Sequence, residues 1–126
     1  MDVWTKIIFV DDNGEKFFGE GPYRLLKCVE KTGSLHKAAF SMEMSYTKAF
    51  RILNRAEEVI GYPLTTRAIG GVSGGGSSLT EKGKEWVERY ENYRNACVEA
   101  NRRLYLEFFP EQRKETSVPD GNEGDR

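Results

Sequence analysis

The stretch GSLHKAAFSMEMSYTKAFRILNRAEEVIG, Gly33 to Gly61, decides the fold. Ser34 is a good N-cap, because its hydroxyl can accept a bond from a backbone N–H that has no partner inside the helix. Leu35, Ala38, Ala39 and Met42 follow on one face at helical spacing. The small Ala38 and Ala39 let a crossing helix approach closely. Ser45 then caps a further helix running to about Ile60, and Gly61 closes it. The buried stripe of that helix is expected to be Ala49, Ile52, Leu53, Ala56, Val59 and Ile60. Thr47, Lys48, Arg51, Asn54, Arg55 and Glu58 fall opposite, with Tyr46 and Phe50 at one border.

Outward from this core, Val3 to Val10 alternates loosely, Asp12-Asn13-Gly14 is a turn signal, and Lys16-Phe17-Phe18 can return as a second strand. Gly21-Pro22 opens a helix with Pro22 at the first helical position, and Pro22, Leu25, Leu26 and Val29 form its core stripe up to Gly33. On the other side, Leu64 to Ile69 and Ser77 to Leu79 read as two strands around the tip Gly70-Gly71-Val72-Ser73-Gly74-Gly75-Gly76. Two short helices joined by a tight turn and followed by a hairpin predict a winged helix-turn-helix, mainly α with a small β component.

Thr80 caps a long helix over 80–109. Gly83, Trp86, Tyr90, Tyr93, Cys97, Ala100 and Leu104 recur along it in steps of four and three, for about three heptads. A helix of this length outreaches a domain this small. The seam therefore predicts dimerisation through Trp86, Tyr90, Tyr93, Cys97 and Leu104. One winged domain is expected over 1–109, and a disordered tail over 110–126, where the chain is polar and lacks aromatics.

With 126 residues the chain can bury one core. The net charge of -1 hides an uneven distribution. Acids gather at both ends, whereas Ser34 to Ser78 carries Lys37, Lys48, Arg51, Arg55 and Arg67 against Glu43, Glu57 and Glu58. Phosphate contact depends on such local excess. There is no apolar run for a bilayer and no secretory pattern at Met1-Asp2-Val3-Trp4, and Cys28 and Cys97 read as reduced packing residues, so a cytoplasmic location is expected. The residues do not suggest an enzyme, a metal site or a cofactor. The one histidine, His36, lies on the outer side of its helix. No nucleophile set or metal spacing accompanies it. Asp11-Asp12-Asn13-Gly14 lacks the glutamate of a calcium loop, and the glycine tip lacks the Gly-Lys-Ser/Thr of a phosphate loop.

Double-stranded DNA is the partner these residues suit. Thr47 and Lys48 occupy the first turn of the helix after Ser45, where a recognition helix meets base edges. Arg51, one turn on, can grip a guanine edge bidentately. Arg55 and Lys37 are placed for phosphate, as are Ser34 and Ser45 with the free N–H groups at their helix starts. Tyr46 suits a sugar or a thymine methyl, or closes the core. Arg67 is expected to reach a flanking phosphate, and Ser73 completes the set at the tip.

A family resemblance rests on Gly19, Gly21, Leu25-Leu26, Gly33-Ser34-Leu35, Ala38-Ala39, Met44-Ser45-Tyr46, Lys48-Ala49, Asn54, Pro63-Leu64, Gly70-Gly71, Gly74-Gly75-Gly76, Leu79-Thr80 and Gly83. Through these, about Val3 to Ala100 resembles the DNA-binding domain of molybdate-responsive, ModE-type transcription regulators, themselves similar to the winged domain of LysR-type regulators. The resemblance implies a homodimeric DNA-binding transcriptional regulator, with the long helix as dimer element and the Ser45-capped helix reading an operator. Full-length regulators of this type carry C-terminal oxyanion-binding β domains, for which this chain is too short. It is therefore expected to lack its own molybdate-binding domain, and either to sense nothing or to work with a separate effector-sensing protein. Val72-Ser73 stands where relatives often carry a cation, and Phe50 supplies the aromatic that often follows the alanine at Ala49. The competing expectation is a protein-interaction module that uses the same fold without DNA, docking a partner on Trp86, Tyr90 and Tyr93.

Overall fold

Capping serines, apolar spacing and glycine stops produce a mainly α chain with a small β component. The elements are β1 (Phe9–Val10), β2 (Lys16–Phe18), α1 (Glu20–Thr32), α2 (Leu35–Ser41), α3 (Tyr46–Ile60), β3 (Thr65–Arg67), β4 (Ser77–Leu79) and α4 (Glu81–Phe108). The computed structural model describes residues 1–67 and 76–111. Most of the glycine tip, with Ser73, and most of the expected tail lie outside the described residues. The described chain divides into two compact units, Ile7–Asn92 and a second formed by Met1–Lys6 with the described residues from Tyr93.

In the larger unit, β1 and β2 pair antiparallel, with Phe9 opposite Phe18 and Val10 opposite Lys16. The paired strand is shorter than the alternation from Val3 suggests, because β2 ends at Phe18 and leaves earlier residues without a ladder partner. Helix α1 starts at Glu20 rather than at Pro22. Proline still fits, because the N–H groups of a helix's first turn have no intrahelical acceptor to lose. Gly33 ends α1 in the left-handed conformation at φ 74°, its N–H donating to the Val29 carbonyl.

Ser34 and Ser45 cap α2 and α3 as expected, accepting from the N–H groups of Lys37 and Lys48. Between the two helices, Glu43 adopts φ 58°, and Met44 N–H donates back to the Ala39 carbonyl at 3.0 Å. Leu25, Leu26, Val29, Leu35, Ala38, Ala39, Ala49, Leu53, Ala56, Leu64 and Leu79 are buried together. Ile52 and Ile60, placed on the same stripe, are only partly buried against that core.

An aromatic cluster extends the core toward α4. Phe18 is fully buried and meets Trp86 edge-on at 5.5 Å and Tyr90 at 5.0 Å. Burying each such ring contributes roughly 1.5–3 kcal/mol, and edge-to-face geometry adds about 0.5–1.5 kcal/mol. The Tyr90 hydroxyl donates to Glu20 Oε2 at 2.9 Å, so its polar end is satisfied.

The β3–β4 hairpin pairs Thr65 with Leu79, Thr66 with Ser78 and Arg67 with Ser77. Four hydrogen bonds hold its base. Glu57 of α3 accepts from the N–H groups of Leu64 and Thr65. Ser77 N–H donates to the Gly33 carbonyl, and Thr80 N–H to the Leu64 carbonyl, both at 2.9 Å. Thr80 Oγ1 accepts from Gly83 N–H and so caps α4. Gly83 lies so close to Leu64 that a Cβ there would sit 2.1 Å from the Leu64 carbonyl oxygen.

The smaller unit combines the N-terminal arm with the second half of α4. Asn101 donates to Thr5 Oγ1 at 2.9 Å, and Arg102 pairs with Asp2 at 3.2 Å. Trp4, Tyr93, Leu104, Phe108 and Phe109 are large apolar residues left exposed.

Candidate nucleic-acid interface

The first turns of α2 and α3 both begin at capping serines. Each hydroxyl is used as an acceptor inside the helix start, leaving its proton free to donate outward. Around them Lys37, Thr47, Lys48 and Arg51 are exposed. Among the described residues, no carboxylate forms an ion pair with Lys37, Lys48 or Arg51. Exposed cations close in sequence to the hydroxyls of Ser34, Ser45 and Thr47 are a combination suited to phosphate oxygens and base edges.

Arg55 differs from its neighbours on the helix. Its guanidinium donates to Asp11 Oδ2 at 2.5 Å and lies 3.7 Å from Glu15, and its side chain is only 35% exposed. It therefore ties α3 to the β1–β2 turn rather than standing as a free charge. Asp11 is the hub of that turn, accepting from the N–H groups of Asn13 and Glu15 through Oδ1. The Glu15 backbone N–H and then the Arg55 guanidinium hold the Asp11 carboxyl below its usual range. The same bond holds Arg55 in its charged form more firmly. Periodicity could place Arg55 on the outer face but could not show an acid 44 residues away in sequence.

Tyr46, the first residue of α3, stacks on His36 with ring centroids 3.9 Å apart and planes 10° from parallel. On α3 itself, Phe50 lies 6.1 Å away at 26°. The sequence signal for the pair is slight: each ring follows a capping serine by one or two positions. Phe40, one turn after His36 on α2, is 83% exposed.

Arg67 pairs with Ser77 at the end of β3, and Ser73 falls among the residues not described. The residues of the expected α4 seam divide. Tyr90 is 2% exposed and Trp86 is half-buried, both inside the aromatic cluster of their own chain. Tyr93 and Leu104 are 52% and 49% exposed, and Cys97 is half-buried and forms no disulfide. Tyr90, buried in its own core, has little surface to offer a second chain, whereas Trp86 keeps part of its surface open. Among the described residues, no group of His, Cys, Asp and Glu side chains could hold a metal ion, and no helix is long and apolar enough to cross a membrane.

Part of the chain is similar in sequence to known molybdenum-linked proteins. The chain is 33% identical over 85 residues to the molybdenum transport protein ModE of Azotobacter vinelandii, covering 64% of this chain and 32% of that one. It is 33% identical over 67 residues to the DNA-binding transcriptional dual regulator ModE of Escherichia coli (strain K12), covering 53% and 26%. It is also 33% identical over 66 residues to the molybdenum-pterin-binding protein MopB of Rhodobacter capsulatus, covering 52% and 24%. No family model matches the chain. The chain thus spans about a quarter to a third of the length of these curated relatives, and over the matching part its sequence is similar to ModE-type regulators.

Proposed function

We propose that this ModE-type chain is a sequence-specific, duplex-DNA-binding transcriptional regulator of the winged helix-turn-helix kind, acting as a homodimer. The observation that carries the proposal is the exposure of Lys37, Thr47, Lys48 and Arg51 near two serine-capped helix starts, with no ion pair to these cations among the described residues. Helix α3 enters the major groove, Thr47 and Lys48 meet base edges, and Arg51 grips a guanine. Lys37, Ser34, Ser45 and Arg67 hold phosphates, with Ser73 at the tip. Arg55 orders the helix through Asp11 instead of meeting DNA. Dimerisation uses the exposed part of the long helix around Tyr93, Cys97 and Leu104, which sets two α3 helices on successive half-sites. The relatives' names, a molybdenum transport protein and a molybdenum-pterin-binding protein among them, favour molybdenum-linked genes as the regulated set.

Selection of bound duplexes from a random DNA pool tests the reading. A two-fold symmetric consensus, whose binding weakens steeply with salt as counterions are released, is the expected result. No retardation of any duplex at micromolar protein and low salt would overturn it. That outcome would favour the second reading, a protein-interaction module, for which the 83% exposed Phe40 is the specific observation.

A further inference from the structure

We infer that His36 is a positioning residue for base readout, acting through Tyr46, and that the contact it prepares is with the methyl group of a thymine. The inference rests on the DNA-binding reading above and extends it to a residue outside the expected contact set.

The geometry is that of a clamp. The His36 ring covers one face of Tyr46 at 3.9 Å and 10°. Phe50, half-buried on the next turn of α3, adds a second ring at 6.1 Å and 26°. Tyr46 is thereby held between α2 and its own helix while remaining 36% exposed. An exposed tyrosine at a helix start would ordinarily sample several rotamers. Here the stack selects one before any ligand arrives, so the ordering cost of docking is already met.

What such a ring can read follows from its chemistry. Tyr46 is the first residue of α3, and first-turn residues of a groove-bound helix lie nearest the base edges. A ring covered on its face has its edge left for contact, and most of a tyrosine's edge is apolar C–H. In the major groove, the apolar feature that distinguishes one base is the C5 methyl of thymine. Lys37 and Lys48, next to His36 and two residues after Tyr46, are exposed cations that can fix the flanking backbone.

The test uses the preferred duplex from the pool selection, with each thymine replaced in turn by deoxyuridine, which lacks only the methyl. Binding is compared for wild type, His36→Ala, His36→Phe, Tyr46→Ala and the His36→Ala/Tyr46→Ala double variant, each first checked by thermal melting. In wild type, one thymine per half-site should be sensitive to loss of its methyl. His36→Ala should weaken binding about three- to tenfold, the scale of ordering one side chain, and abolish that sensitivity. His36→Phe, which can restack, should retain it. On the Tyr46→Ala background, His36→Ala should have no further effect, because the two act as one unit. The inference is overturned if no position responds to deoxyuridine, or if His36→Ala keeps the wild-type pattern of responses. Failure of every variant and of wild type to bind any duplex would instead defeat the DNA-binding reading itself.

Discussion

Arg55 Nη2 donates to Asp11 Oδ2 at 2.5 Å, linking the middle of α3 to the turn of the N-terminal hairpin. Asp11 is the nearer of two acids that engage this cation, the other being Glu15 at 3.7 Å, whose side chain is 75% exposed. Asp11→Asn removes the stronger charge partner and should loosen Arg55 toward solvent. The expected result is tighter binding to non-specific duplex, with the salt slope steeper by about one unit for one added phosphate contact. Salt-titrated binding to scrambled DNA checks it, and an unchanged slope would show that Arg55 stays committed elsewhere.

The same pair sets an acid limit. The Asp11 carboxyl is held below its usual 3.8 by the Glu15 N–H first and by Arg55 second. A depressed carboxylate contributes stability that is fully present above its unfolded pKa and is lost as pH falls through the lowered folded value. The contribution should therefore persist at neutral pH and fade only below about pH 4. Denaturant unfolding of wild type and Asp11→Asn, from neutral pH down into that acid range, should show two curves that converge at the acid end. Parallel curves would contradict the assignment.

Local rules make much of this molecule readable from its residues alone. The serines at 34 and 45, the glycines at 33 and 61 and the Leu25, Leu26, Val29 stripe each act within one turn of helix, where spacing alone carries the information. Outside that range the reading weakens. Trp86 and Tyr90 satisfy a heptad pattern and a core pattern equally, and only the fully buried Phe18 shows that their own chain takes them. Arg55 and His36 depend on partners set by the fold, across 44 residues in the first case and across a helix junction in the second. The exposure of Lys37, Lys48 and Arg51 is legible because it follows from their place on the helix and needs no distant partner.

Gly83 permits α4 to touch the residue that leads into β3. On helix propensity alone, Gly83→Ala should stabilise by roughly 1 kcal/mol. The Cβ would however sit 2.1 Å from the Leu64 carbonyl oxygen and 2.9 Å from its carbonyl carbon, both backbone atoms that cannot rotate away. Overpacking of this kind costs roughly 1–3 kcal/mol or more, so the clash outweighs the propensity. Gly83→Ala should lower stability in urea unfolding, and a more stable variant would show that the hairpin base can shift freely.

The divided seam of α4 separates stability from assembly. Tyr90→Ala empties a site that is 2% exposed and should cost about 3–5 kcal/mol, the range for truncating a large buried aromatic. Leu104→Glu, at a position 49% exposed, should leave the thermal transition nearly unchanged at dilute concentration. It should instead convert the proposed dimer to a monomer, because a charge is forced into an apolar contact. Sedimentation equilibrium beside thermal melting distinguishes the two effects. A Leu104→Glu protein that remains dimeric would move the interface away from this stretch.

Glu43 holds the turn between α2 and α3 at φ 58°, a conformation that costs an ordinary L-residue about 1–2 kcal/mol. Its N–H donates to the Phe40 carbonyl at 3.0 Å, so the turn fixes the conformation whichever residue stands there. Glycine adopts this region without the Cβ conflict but loses more entropy on folding. Relief of strain outweighs that entropy loss, so Glu43→Gly should raise stability by up to about 1 kcal/mol. It also removes a negative charge close in sequence to Tyr46, so non-specific DNA affinity at low salt should rise slightly. Urea unfolding and low-salt binding measure the two effects independently, and a loss of stability in Glu43→Gly would mean that the glutamate side chain contributes more to the turn than its backbone strain costs.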